Sequence, residues 1–269
     1  MNPKVICHIM SSVDGRLLPS RWTPPFDDTD PGALFQEYAA IGRRLDTDAW
    51  MFGKSTTKEF FPTRFMPKGA SHPNPGKIHI GNRDSARMFI TVDPDADILY
   101  TSDKLRGDNI VTVLGPNATD DYLDALEKAG ISYIVTADPT DLRGALETIS
   151  ETFGIRSVSL QGGIINGAML AQGLIDELSL VIYPGIDGLT TSPSIFEYLG
   201  ASDERLPRRG AGARTHVKRN RRTRRYMAAL SFAQSLNQKI NEYDYFEIKQ
   251  RRRDAANRLR CLPGIAGRM

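Results

Sequence analysis

Hydrophobic positions along this chain fall into two rhythms. Short, nearly continuous apolar runs at 4–10, 49–52, 87–92, 98–100, 110–114, 131–135, 157–160 and 176–183 predict strands, most of them buried on both faces. Elsewhere the apolar residues return every three or four positions. Leu34, Tyr38, Ile41 and Leu45 share one face of a helix that Asp30 caps and Pro31 opens. Further helices are predicted over 120–129, ended by Gly130, over 142–152, and over 166–172, ended by Gly173. Strands alternating with helices predict an α/β protein whose mostly parallel sheet is covered on both faces. Residues 61–86 are rich in Pro, Gly and polar side chains and read as a long irregular connection. No internal repeat interrupts the pattern.

The stretch SVSLQGGIINGAMLAQGLIDELSLVIYPGIDG, residues 157–188, organises the rest. A strand runs into Gly162 and Gly163, then a helix, then a second strand. Glycines between a strand and a helix let backbone amides approach a ligand, and a helix start suits phosphate. The G-x-G-x-x-G fingerprint is absent, and a glycine pair in this place also serves as a plain turn. A second strand, AWMF, leads into Gly53, Lys54, Ser55, Thr56 and Thr57. Asp48 stands where a Walker A motif would need its first glycine, so this is either a phosphate-binding turn or an ordinary helix N-cap.

The first strand ends in Ser11-Ser12-Val13-Asp14-Gly15. In open α/β sheets such strand ends line the ligand crevice, which makes His8, Ser11, Ser12 and Asp14 candidates. The alternative is a simple Asp-Gly turn and a core histidine with its hydrogen bonds satisfied. Residues 21–30, a Pro-rich loop carrying an exposed-looking Trp22, are long enough to act as a lid beside that strand end.

Composition narrows the class. With 269 residues, 40% of them hydrophobic, the chain can build one large α/β domain or two small ones. The start MNPKVICHIM lacks signal-peptide form and no apolar run reaches membrane-spanning length, so a soluble, cytoplasmic protein is expected. Cys7 and Cys261 match no metal or disulfide spacing, which argues against a structural metal. Charge divides the chain. Residues 1–200 hold 17 Lys and Arg against 26 Asp and Glu, a net −9, whereas residues 201–269 hold 18 against 6, a net +12. The tail shows no strand alternation; it reads as a basic extension, or as the product of a frameshift near Leu206. Nucleic-acid contact ranks behind both, because no binding motif accompanies the charge.

Three segments taken in order, VICHIMSSVDGR, DAWMFGKSTTKEF and LQGGIINGAMLAQGLIDELSLVIYPGIDG, resemble the dihydrofolate reductase-like superfamily, and within it the RibD carboxy-terminal domain family, the reductase domain of riboflavin biosynthesis. The resemblance covers roughly residues 3–200. It implies a three-layer α/β/α fold with a mostly parallel mixed central sheet, a reductase domain over 1–200, and an atypical basic tail over 201–269. It also implies NADPH. Gly162 and Gly163, flanked by Gln161, Ile164 and Ile165, would sit against the pyrophosphate. Gly53, Lys54, Ser55 and Thr56 would hold the adenosine side, with Lys54 and the hydroxyls favouring a 2′-phosphate. Ser12, Asp14 and Gly15, joined by Ser11 and Trp22, would lie by the nicotinamide and the substrate. The chain departs from the family at His8, where a lysine is usual, at Gln161, where an acid is usual, and over 57–64, which lack the family's Asp-Asp-Pro segment.

The expected activity is hydride transfer from NADPH to a ribosylamino pyrimidine phosphate or a similar substrate, with Asp14 orienting the substrate and His8 relaying a proton. The alternatives are a reductase of another carbonyl or imine and a non-catalytic nucleotide-binding protein of the same fold. The family resemblance further implies a homodimer.

Overall fold

A computed structural model describes residues 2–25, 29–62 and 74–200 together with the backbone of 212–220 and 225–233. The chain divides into two units, Met1–Gln234 and Ser235–Met269, and the second lies outside the described residues. In the first, β1 (Lys4–Ser11), β2 (Ala49–Gly53), β4 (Met88–Asp93), β6 (Asp108–Leu114), β7 (Ser132–Val135), β8 (Ser157–Gln161) and β9 (Glu177–Ile182) run parallel in the spatial order β9-β1-β8-β2-β4-β6-β7. Two short strands that carry no periodic signal of their own add antiparallel pairings: β3 (Ile78–His79) on β7 and β5 (Lys104–Leu105) on β6. The first of these lies inside the stretch expected to be irregular throughout. Ile98–Tyr100, expected as a strand, joins no named strand; Ile98 is instead an anchor of the buried core.

Alternation along the strands builds a core on each face of the sheet. On one side Cys7, Met51 and Leu160, side by side in register, pack with α4 (Leu142–Phe153) and α5 (Gly163–Ala171) through Leu146, Ile149, Ile165 and Met169. On the other, Phe52, Phe89 and Tyr133 pack under α3 (Asp120–Lys128) through Tyr122, Leu123 and Leu126, while Met10 meets α1 (Pro31–Arg44) through Leu34. Side-chain caps open α1 and α3. Asp30 accepts from the amides of Gly32 and Ala33, and Thr119 from that of Tyr122. The result is the expected three-layer α/β/α arrangement around a mixed, mostly parallel sheet.

One departure concerns the tail. The backbone forms two further strands, β10 (Gly212–Asn220) and β11 (Arg225–Ala233), a hairpin whose second strand pairs antiparallel with β9. The expectation that these residues carry no strand is therefore corrected: β9 is not a sheet edge. Arg214, Arg219 and Arg225, which help to hide the alternation, lie on this outer hairpin, where only β11 has an inner neighbour.

Candidate functional site

Because the seven central strands are parallel, their carboxyl ends open on one side, and a cleft of about 1540 Å³ lies there. Ile9 and Met10 of β1, Phe52 and Gly53 of β2, Val92 of β4 and Gln161 of β8 reach it from four strand ends. Gly162 turns the chain out of β8 at φ 124°, a conformation L side chains rarely adopt, and caps α5. That helix starts three residues earlier than its apolar pattern predicts, so its first-turn amides, which have no intrahelical acceptor, open beside Gln161, Gly162, Gly163, Ile164 and Ile165, all on the cleft wall.

The second glycine has another duty. A methyl at Gly163 would run into the carbonyl oxygen of Ser194, and the Gly163 carbonyl accepts from the amide of Glu197 at 2.8 Å. Asn166 Nδ2 donates to the carbonyl of Ile195 at 2.9 Å, and a methyl at Gly167 would strike the backbone of Glu197. The glycines of α5 thus let segment 193–198 lie across the helix and close one wall of the cleft, which Pro193, Glu197 and Tyr198 help to line.

Gly53, Lys54, Ser55 and Thr56 also line the cleft, as expected, with Gly53 capping the one-turn helix α2 (Lys54–Thr57). Lys54 is not free to meet a ligand. Its Nζ lies 2.6 Å from Asp95 Oδ2, 2.6 Å from Asp97 Oδ2 and 3.7 Å from Asp93 Oδ1. Burial works to lower its pKa, and the hydrogen bonds to Asp95 and Asp97 outweigh it and hold the ammonium above its ordinary value.

At the other end, Trp22 is a wall residue, 9% exposed, packed 4.8 Å from the Tyr183 ring and parallel to Phe35. The exposed position expected for it is corrected. The indole N–H has no hydrogen-bond partner among the described residues.

The remaining expected site residues do not line the cleft. His8 is buried behind Tyr38, whose ring stacks on it at 4.3 Å; its Nδ1 meets Ser179 Oγ at 3.1 Å and its Nε2 the Tyr38 carbonyl at 3.1 Å. Burial lowers its pKa to about 4 against the two hydrogen bonds, so it is neutral and already occupied at neutral pH. Ser11 is buried and donates to the carbonyl of Ser12 at 3.0 Å. Ser12 Oγ donates to Asp14 Oδ1 at 2.6 Å, and Asp14 also accepts from the amides of Asp187 and Gly188 at 3.1 and 2.8 Å. The Ser12 hydroxyl and then these amides hold the Asp14 carboxyl well below the usual carboxylate range. Gly15, at φ 77°, completes the turn. Ser12, Asp14 and Gly15 therefore latch the end of β1 to loop 185–188, and the expected roles of His8 as proton relay and Asp14 as substrate orienter are not what this geometry builds.

Sequence reading missed Tyr38. It lines the cleft between His8 and Gln161, and its hydroxyl donates toward Gln161 Oε1 at 2.9 Å and the His8 carbonyl at 3.1 Å. Its signal was present only as an apolar position on α1. Among the described residues there is no group of His, Cys, Asp and Glu able to hold a metal, and no helix long and apolar enough to cross a membrane.

Solved structures share this architecture. A pyrimidine reductase-like protein from Corynebacterium diphtheriae superposes with a TM-score of 0.58 at 17% identity, covering 87% of this chain and 93% of that one. RibD from Acinetobacter baumannii superposes with a TM-score of 0.53 at 16% identity over 87% of this chain, which spans only 59% of the RibD chain. At such identities the likeness establishes the fold. No curated protein matches the sequence. Residues 3–209 match the RibD C-terminal domain family, and by that match, which takes in every strand end of the cleft, the chain belongs to the RibD C-terminal domain family.

Proposed function

We propose that this protein is a reductase that transfers hydride from a reduced nicotinamide dinucleotide to a heterocyclic substrate in the cleft at the strand ends. The observation that carries the reading is the row of parallel strand ends meeting the open first turn of α5, a cradle of backbone amides suited to a pyrophosphate. The residues fit such a group. Gly162–Ile165 amides would hold the pyrophosphate, and a side chain at Gly162 would press on Thr56 Oγ1, 2.9 Å from the place of its Cβ. Gly53, Ser55 and Thr56 would flank the adenosine. The nicotinamide supplies the hydride when bound. The chain's own part is orientation and exclusion of water: Tyr38 anchors Gln161 on the wall, and Met10, Leu17, Trp22 and Phe35 form an apolar face for the acceptor ring.

Membership of the family supports a ribosylamino pyrimidine as substrate, and NADPH is the donor expected from the sequence. A second substrate reading, an unphosphorylated carbonyl or imine, is favoured by the wall itself: Met10, Leu17, Leu18, Trp22, Phe35 and Tyr38 bring no charged side chain to that end. Titration of the full-length protein with reduced nicotinamide dinucleotides, read by nicotinamide fluorescence, tests the shared premise. Cofactor oxidation should then follow addition of a pyrimidine ribosylamine phosphate. Absence of dinucleotide binding at millimolar concentration would defeat the reading.

A further inference from the structure

The strand β4 leaves the sheet through Asp93-Pro94-Asp95-Ala96-Asp97, and the chain turns sharply at Ala96, φ 54°. The three carboxylates converge on Lys54, whose side chain is 15% exposed. Asp93 is buried; its Oδ2 accepts from the amides of Asp97 and Ile98 at 3.1 and 3.2 Å. Lys54 and Pro94 both line the cleft, at the end assigned to the adenosine. We infer that this end of the cleft selects a dinucleotide with a free 2′-hydroxyl, NADH, over one with a 2′-phosphate, NADPH. The inference rests on the dinucleotide reading of the cleft.

Charge makes the selection. A 2′-phosphate brings roughly −1.5 to −2 charges at neutral pH and needs a cation with charge to spare. Lys54 has none to spare: one ammonium is surrounded by three carboxyl groups, in a half-enclosed place where water screens less than on an open surface. A phosphate placed here meets a lysine whose charge the three carboxyl groups beside it already offset. A ribose hydroxyl meets the opposite situation. Asp95, with a side chain 68% exposed and one oxygen on Lys54, has its second oxygen available to accept from a 2′-hydroxyl, the role a carboxylate takes in dinucleotide sites of open α/β sheets. Lys54 thereby holds Asp95 and Asp97 in place. Two rival cations line the cleft: Arg106, whose guanidinium lies 5.1 Å from the centroid of the Phe60 ring, and Arg143, whose Nη2 donates to the Gln172 carbonyl at 3.1 Å.

Dissociation constants of NADH and NADPH for the full-length protein, measured side by side at low and at physiological salt, test this. NADH should bind about tenfold or more tightly than NADPH, and the gap should narrow with added salt. In an Asp95→Asn, Asp97→Asn double variant, which frees the lysine, the ratio should move toward NADPH by about tenfold. Equal or tighter binding of NADPH by the unaltered protein would overturn the inference, most clearly if Arg106→Ala abolished that preference. A double variant that folds, judged by circular dichroism, yet keeps the NADH preference would overturn it as well. Failure of both dinucleotides to bind would instead remove the reading on which it rests.

Discussion

His8 lies on the α1 side of β1 with both ring nitrogens in hydrogen bonds and the Tyr38 ring stacked on it, and this setting fixes its titration. Its pKa in the fold is about 4, below the roughly 6.5 of an exposed histidine. Between those values the unfolded chain binds a proton that the folded chain refuses, so the stability it contributes is complete above pH 6.5 and is lost as the pH falls toward 4. Urea unfolding of the unaltered protein should lose up to about 1.4 kcal/mol per pH unit across that window on account of this residue. His8→Gln should flatten that dependence; parallel losses in the two proteins would contradict it. Asp14 behaves in the opposite charge sense. Its carboxyl is held down by Ser12 and the amides of Gly188 and Asp187, so its contribution is present above the unfolded value of about 3.9 and fades as the pH falls through it. Asp14→Asn should lower the melting temperature at pH 7, lower it less below pH 4, and leave dinucleotide affinity close to that of the parent. A loss of affinity with unchanged melting would restore Asp14 to the binding site. The residue types at 8 and 14 were legible as special; their roles were not, because both depend on Ser179, Asp187 and Gly188, more than 160 positions away.

Helices and strands were read closely where periodicity or a cap marks them: α1 from Asp30 and Pro31, α4 up to its left-handed cap at Gly154, and β8. The two-residue strands β3 and β5 were not, since two residues carry no period. At α5 the glycine pair looked like a turn before the helix. It is the helix start, and the division of labour between its members is a tertiary matter: Gly162 supplies a positive φ, while Gly163 and Gly167 supply room for segment 193–198. Gly167→Ala should therefore destabilise the protein by about 1–3 kcal/mol in denaturant titrations by forcing that segment off the helix. Gly163→Ala should in addition weaken dinucleotide binding, because the displaced backbone is a wall of the cleft. An unchanged midpoint for Gly167→Ala would show that the segment yields without cost.

For the molecule as a whole, the hairpin of β10 and β11 converts β9 from an edge into an inner strand. A chain ending at residue 211 should expose the β9 edge, with a lower melting temperature and concentration-dependent aggregation seen by light scattering. Unaltered solubility and melting would mean that the pairing adds nothing. The amino-acid sequence by itself determined the class of this protein, the position of most helices and strands, and the glycine turns at 53 and 162 that open onto the cleft, because periodicity, caps and turn chemistry act over a few residues. Only the tertiary structure decided which candidates face that cleft. It turned Ser12, Asp14 and Gly15 into a latch, placed Tyr38 in front of His8, and gave Lys54 to carboxylates about forty positions further along the chain. The physical reason is that hydrogen bonds and ion pairs are set by distance in space, and the order of strands in the sheet, β1 beside β9 and β2 beside β4, brings those partners together.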